Sequence, residues 1–139
     1  MAAAAHTLTL RSSSLLRKVL WLDALSSAAM GLMLLLFAGA LQALLGLEPA
    51  FMRAVGATLL PFAAFVAWVA SRERIARWSV GWVIALNVLW VIDSLAILFF
   101  GGLQPTMLGT VFVVAQALFV GVLAEVEFVA LKREGAGSA

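Results

Sequence analysis

Asp93 stands inside the apolar run "NVLWVIDSLAILFF", residues 87 to 100. A carboxyl group in such surroundings can hold a proton, attract a cation or form half of an ion pair. Charged and alone in hydrocarbon it costs at least several kcal/mol. Three side chains are spaced to partner it. Trp90, one helical turn earlier, presents an indole N–H on the same side. Arg53, about one turn inside the preceding span from Pro49, has a side chain long enough to reach down, and Gln116, midway along the last span, supplies an amide. Asn87 and Ser94, seven apart, add an adjoining polar stripe that favours an inward face. Paired with Arg53, Asp93 would be a fixed strut; protonated, it would be one more buried hydrogen-bonding group; next to Trp90 it would suit a cation, the carboxylate giving charge and the indole a face.

A second set of acids lies nearer the chain's basic segments. Asp23, Ser26, Ser27, Met30 and Gly31 recur at helical spacing and make one narrow polar or small stripe. Ala117, Gly121 and Glu125 fall four apart, which puts Glu125 on a small-residue face suited to close helix contact; Gln116 and Glu127, eleven apart, share the neighbouring face. Counting back from the opposite ends places Asp23, Glu125 and Glu127 in the same layer as Arg72, Arg74 and Arg77. A wet ring of interfacial ion pairs is the simplest expectation, each pair contributing little. The inward alternative is a vestibule lined by Asp23, Ser27 and Glu125.

Other chemistry is excluded by what the chain lacks. It has no Cys and a single His, His6, so thiolate catalysis, disulfides, thiolate metal sites and multi-histidine sites are ruled out. No nucleophile, base and orienting group stand at recognisable spacing, so an enzyme, a metal centre and a cofactor are not expected. The net charge is +2 and the pI about 9.9. The positive charges are explained by membrane topology, and nucleic acid is not an expected partner.

The elements that must position these residues are membrane spans. Of 139 residues 65% are apolar and 12% charged, with a mean hydropathy of +1.12. About 20 apolar residues cross about 30 Å of hydrocarbon as a helix. Four stretches qualify, at about 14–45, 49–71, 77–100 and 105–131, making one transmembrane domain over 14–131 between loose ends at 1–13 and 132–139. The first is too long, and carries Asp23 too early, to be a cleaved signal. Gly46 stops it, Pro49 opens the second in a tolerated first-turn position, and Pro61 is expected to kink the second near its middle. Short connections predict antiparallel neighbours, and nothing alternates with the period of a strand. Eight of the nine basic residues fall on one side of this arrangement, against Arg53 alone on the other, which predicts that both termini are cytoplasmic. Trp21, Trp68, Trp78 and Trp82 belong to that same side, as an interfacial aromatic belt.

The segments "LDALSSAAMGL", "LLPFAAFVAW", "NVLWVIDS" and "PTMLGTVFVVAQAL" together resemble a loosely defined group of short four-span bacterial inner-membrane proteins that lack an assigned activity. The resemblance covers most of residues 15 to 131 and implies the same topology and a bacterial inner-membrane location; it adds no chemistry. The expected function is binding or translocation of a proton, cation or amphiphilic ligand at the intramembrane carboxylate, with Asp93, Trp90, Asn87, Arg53 and Gln116 as its residues. The alternative is an accessory or assembly subunit of a larger membrane complex. Besides the lipid bilayer, the expected partners are further copies of the chain or that complex.

Overall fold

A computed structural model describes the backbone of residues 2–137 and the side chains of residues 14–134. His6 and Arg11 therefore have side chains outside the described residues, as do Met1, Ser138 and Ala139 altogether. The chain forms five helices: α1 (Ala2–Leu36), α2 (Ala38–Leu45), α3 (Pro49–Ser71), α4 (Arg77–Phe100) and α5 (Met107–Gly137). Four of them contain stretches long and apolar enough to cross a membrane, namely Ser14–Leu36, Pro49–Ser71, Arg77–Phe100 and Met107–Glu134. The protein is an all-α, multi-pass membrane protein.

Two helices run over the stretches read from the sequence as about 49–71 and 77–100. Pro49 sits in the first turn of α3, where its missing N–H has no partner to lose. The expected single helix at 14–45 is broken instead. Phe37 leaves helical geometry at φ −115°, ψ 18°, and separates α1 from the short α2. The far end of the short helix is anchored from outside: Thr106 donates its backbone N–H to the Leu45 carbonyl at 3.0 Å and its hydroxyl to the Leu44 carbonyl at 2.7 Å, tying the end of α2 to the start of α5. Gly46 ends α2 in the left-handed region, φ 67°. Gly109 is equally constrained, since a β-carbon there would collide with the Leu45 carbonyl oxygen. α3 stays one continuous helix through Pro61.

Packing follows a closed ring, α1 beside α3, α3 beside α4, α4 beside α5 and α5 beside α1, so that α1 and α4 occupy opposite corners. Three of these seams are well packed; α3 and α4 meet only sparsely. The α1–α3 seam is tight, because two glycines face each other there: a β-carbon on Gly56 would lie 2.6 Å from the Gly31 carbonyl oxygen. Of the small residues Gly56, Ala63, Ala67 and Ala70, which the sequence places along one side of α3, Gly56, Ala63 and Ala70 are buried and Ala67 is half-buried.

The interior is layered along the bundle. At the end carrying Arg17, Arg72 and Arg77, an apolar layer is built from Leu16, Leu20, Val66, Val69, Val80 and Val83. Towards the other end a second apolar layer contains Leu34, Ala38, Leu45, Leu47, Met52 and Leu59. Between the two, on the same core-facing stripes of α1, α4 and α5, come Asp23, Ser27, Asn87 and Glu127.

Candidate functional site

The polar layer is assembled by helical spacing. On α1, Leu20, Asp23, Ser27 and Leu34 are buried in turn; on α4, Val83 precedes Asn87 by one turn; on α5, Ala124, Glu127 and Ala130 follow at three-residue steps. Each polar residue thus replaces an apolar one on a face that must point inward. Asp23 is 1% exposed, Asn87 2% and Glu127 0%.

Asn87 joins the two acids. Its Nδ2 donates to Asp23 Oδ2 at 2.7 Å and to Glu127 Oε2 at 3.2 Å. Ser27 donates its hydroxyl to Asp23 Oδ1 at 3.3 Å, and Ser26 donates to the Asp23 backbone carbonyl at 3.1 Å. Glu127 Oε1 is buried without a hydrogen-bond partner. The bond from Asn87 to Asp23 crosses between opposite corners of the ring, which puts the cluster on the bundle axis. Measured along the helices from Ser14, Arg77 and Glu134, it lies about 10–15 Å in from the basic end.

This arrangement replaces the expected ring of ion pairs. Arg17 donates to the backbone carbonyls of Ala70 and Glu73, each at 3.2 Å, and Arg77 to that of Leu131 at 3.2 Å; Arg72 covers the Trp68 ring at 4.4 Å. The basic side chains secure helix ends and belong to the surface, while Asp23 and Glu127 lie beneath the apolar layer. The expected vestibule residue Glu125 is exposed, and Glu127 takes the inward place. Small size was the misleading signal: a β-carbon on Gly121 would meet only Val91 Cγ2 at 3.8 Å, so Gly121 marks no close helix contact. The spacing of Ala117, Ala124, Glu127 and Ala130 is the one the fold uses.

The second candidate site lies one layer away, in the sparse seam between α3 and α4. A cleft of about 170 Å³ opens there, walled by Met52 and Val55 of α3, Met30 of α1, Phe112 of α5, and Trp90 and Asp93 of α4. Its polar edge is a chain of hydrogen bonds: Trp90 Nε1 donates to Gln116 Oε1 at 2.8 Å, Gln116 Nε2 donates to Ser94 Oγ at 3.1 Å, and Ser94 donates to the Trp90 carbonyl at 2.7 Å.

The residues expected around Asp93 are therefore divided between two places. Trp90, Ser94, Gln116 and Asp93 share the cleft, whereas Asn87 turns to the buried acids. Asp93 is exposed on the cleft wall and, among the described residues, makes no side-chain hydrogen bond; Arg53 is exposed and is not part of the cleft lining. Trp90 and Gln116 satisfy each other and leave the carboxylate alone. Among the described residues no group of three or more His, Cys, Asp or Glu side chains could hold a metal ion. No protein-family model, curated protein or solved structure matches the chain.

Proposed function

We propose that the protein binds a small amphiphilic cation from the bilayer in the cleft between α3 and α4, with Asp93 as the counter-charge. Asp93 carries this reading: its carboxylate stands on the wall of a largely apolar cleft whose other polar groups, Trp90, Gln116 and Ser94, bond one another, and it has no hydrogen bond among the described residues. A cation entering beside it offsets the cost of a lone charge in hydrocarbon, and the Trp90 ring in the same lining adds an attractive face. The volume suits a ligand with one ring or a short alkyl segment, since cavities of about 150 Å³ accept benzene. The seam that is least packed gives lateral access. The skew of basic residues supports cytoplasmic termini, and the resemblance to four-span bacterial proteins supports an inner-membrane location.

Binding of radiolabelled phenethylammonium to the protein in lipid nanodiscs tests the reading, with neutral n-propylbenzene as the isosteric comparison. The cation is expected to bind, and Asp93→Asn to weaken it about tenfold or more, the loss of roughly 1.4 kcal/mol. The neutral compound should bind the parent and Asp93→Asn alike. Equal binding of the cation to Asp93→Asn would remove the proposal. Recovery from native membranes of a larger complex that covers the α3–α4 seam would replace it with the assembly role.

A further inference from the structure

We infer that Glu127 is the seat of a bound proton at the centre of the bundle, with Asp23 as the charge that retains it and Asn87 as the bridge between them. The site is separate from the cleft and does not depend on what the cleft binds.

Four observations meet here. Asp23 and Glu127 offer one oxygen each to the same amide nitrogen, at 2.7 and 3.2 Å, so the two carboxyl groups are direct neighbours. Both are at most 1% exposed. Two negative charges at that separation, away from water, repel strongly, and among the described residues Asp23 is the one charged side chain close enough to act on Glu127. Finally, Glu127 Oε1 is buried with no hydrogen-bond partner. A proton on that oxygen removes one of the two charges and disturbs none of the existing hydrogen bonds.

The elements around Glu127 supply no competing charge. α1 contributes Asp23 and Ser27, and α4 contributes Asn87, which is neutral. α2 packs on α5 from the opposite end of the bundle and carries no charged residue. Arg17 and Arg77 are bound to backbone carbonyls, Arg72 lies on Trp68, and Lys18, Lys132 and Arg133 are exposed. On α5 itself Glu125 is exposed and faces away. Leu16, Leu20, Val80, Val83 and Ala130 separate the cluster from that basic end. The amide is turned to suit a proton. Its Nδ2 stands between the two carboxylates, where a metal cation would have to sit, and it presents hydrogens there instead of an oxygen. The ligand that fits is a proton.

Infrared spectroscopy of the protein in nanodiscs reads the proton directly as the carbonyl stretch of a carboxylic acid at neutral pH. The band is expected in the parent protein, to shift when glutamate is labelled with carbon-13, to vanish in Glu127→Gln and to persist in Glu125→Gln and in Asp93→Asn. The labelling arm needs no variant and so stands even if Glu127→Gln fails to fold. Absence of a glutamate-labelled band in the folded parent, or its survival in folded Glu127→Gln, would overturn the inference; its loss in Asp93→Asn would do so as well, by tying the proton to the cleft.

Discussion

Asn87 and Asp23 are sixty-four residues apart in the chain and 2.7 Å apart in space, joined by a hydrogen bond that spans opposite corners of the helix ring. No other residue pair described here links α4 to α1 so directly, because these helices have no backbone seam in common. Replacing Asn87 by Ala leaves both carboxyl groups without their shared donor. Thermal or denaturant unfolding in detergent should show a loss of about 1–3 kcal/mol, the desolvation cost of buried polar groups left unpaired. Unchanged stability would mean that the bond contributes nothing to holding α4 in place.

The contact between Gly31 and Gly56 lets α1 and α3 approach closely. Gly56→Ala places a carbon 2.6 Å from a backbone oxygen that cannot swing away, so α1 and α3 must separate. A destabilisation of about 1–3 kcal/mol is expected, the usual cost of overpacking. Gly81→Ala is the control, since nothing lies within 4 Å of the added carbon. There the change should be neutral or favourable by about 0.5–1 kcal/mol through helix propensity. Parallel unfolding curves for the two variants check the contrast.

Thr106 fastens the end of α2 to the start of α5 with two bonds, to the Leu44 and Leu45 carbonyls. Thr106→Val removes the hydroxyl, and with it both the bond to Leu44 and the one it accepts from the Gly109 N–H, while keeping the shape and the backbone bond to Leu45. Hydrogen exchange should rise in residues 38–47 and stay unchanged in α4. Uniform exchange across the protein would show that α2 is held by its apolar contacts alone.

Trp90 and Gln116 hold each other along the cleft edge at 2.8 Å. Trp90→Phe removes the indole donor but keeps a ring in the wall. The expected cost is about 0.5–1.5 kcal/mol in stability, that of one hydrogen bond. Affinity for phenethylammonium should fall less than in Asp93→Asn, because the charge remains. A larger fall than in Asp93→Asn would make the indole, and not the carboxylate, the main recognition group.

The four crossings were legible because length and apolarity alone demand them. At Pro49 a local signal also marked where the second crossing begins. The break at Phe37 was not legible: Gly39 two residues on is only a weak breaker, and helical hydrogen bonds still run across the site, from Phe37 to Met33 and from Leu41 to Phe37. Depth counting misled for Asp23 and Glu127. It assumed that an acid near a helix end is wet, whereas Leu16, Leu20, Val80 and Val83 close that end above them. On α5 Glu125 and Glu127 stand about 200° apart around the helix, on nearly opposite faces, and small side chains pointed to Glu125 while the buried spacing of Ala124, Glu127 and Ala130 is the one that faces inward. Asp93 was found by type and position, but its surroundings depended on how far α3 and α4 stand apart, which no single helix encodes.

Leucine, valine and alanine dominate both apolar layers, and such side chains tolerate exchange of neighbours with little penalty. Turning α5 by a single residue, about 100°, would swap one greasy contact for another almost everywhere along its length. At Glu127 the same turn would carry a carboxyl group out of reach of Asn87 and into acyl chains. The central triad therefore sets the angular phase of three helices, and a sequence composed almost wholly of interchangeable parts acquires a single way to fit together.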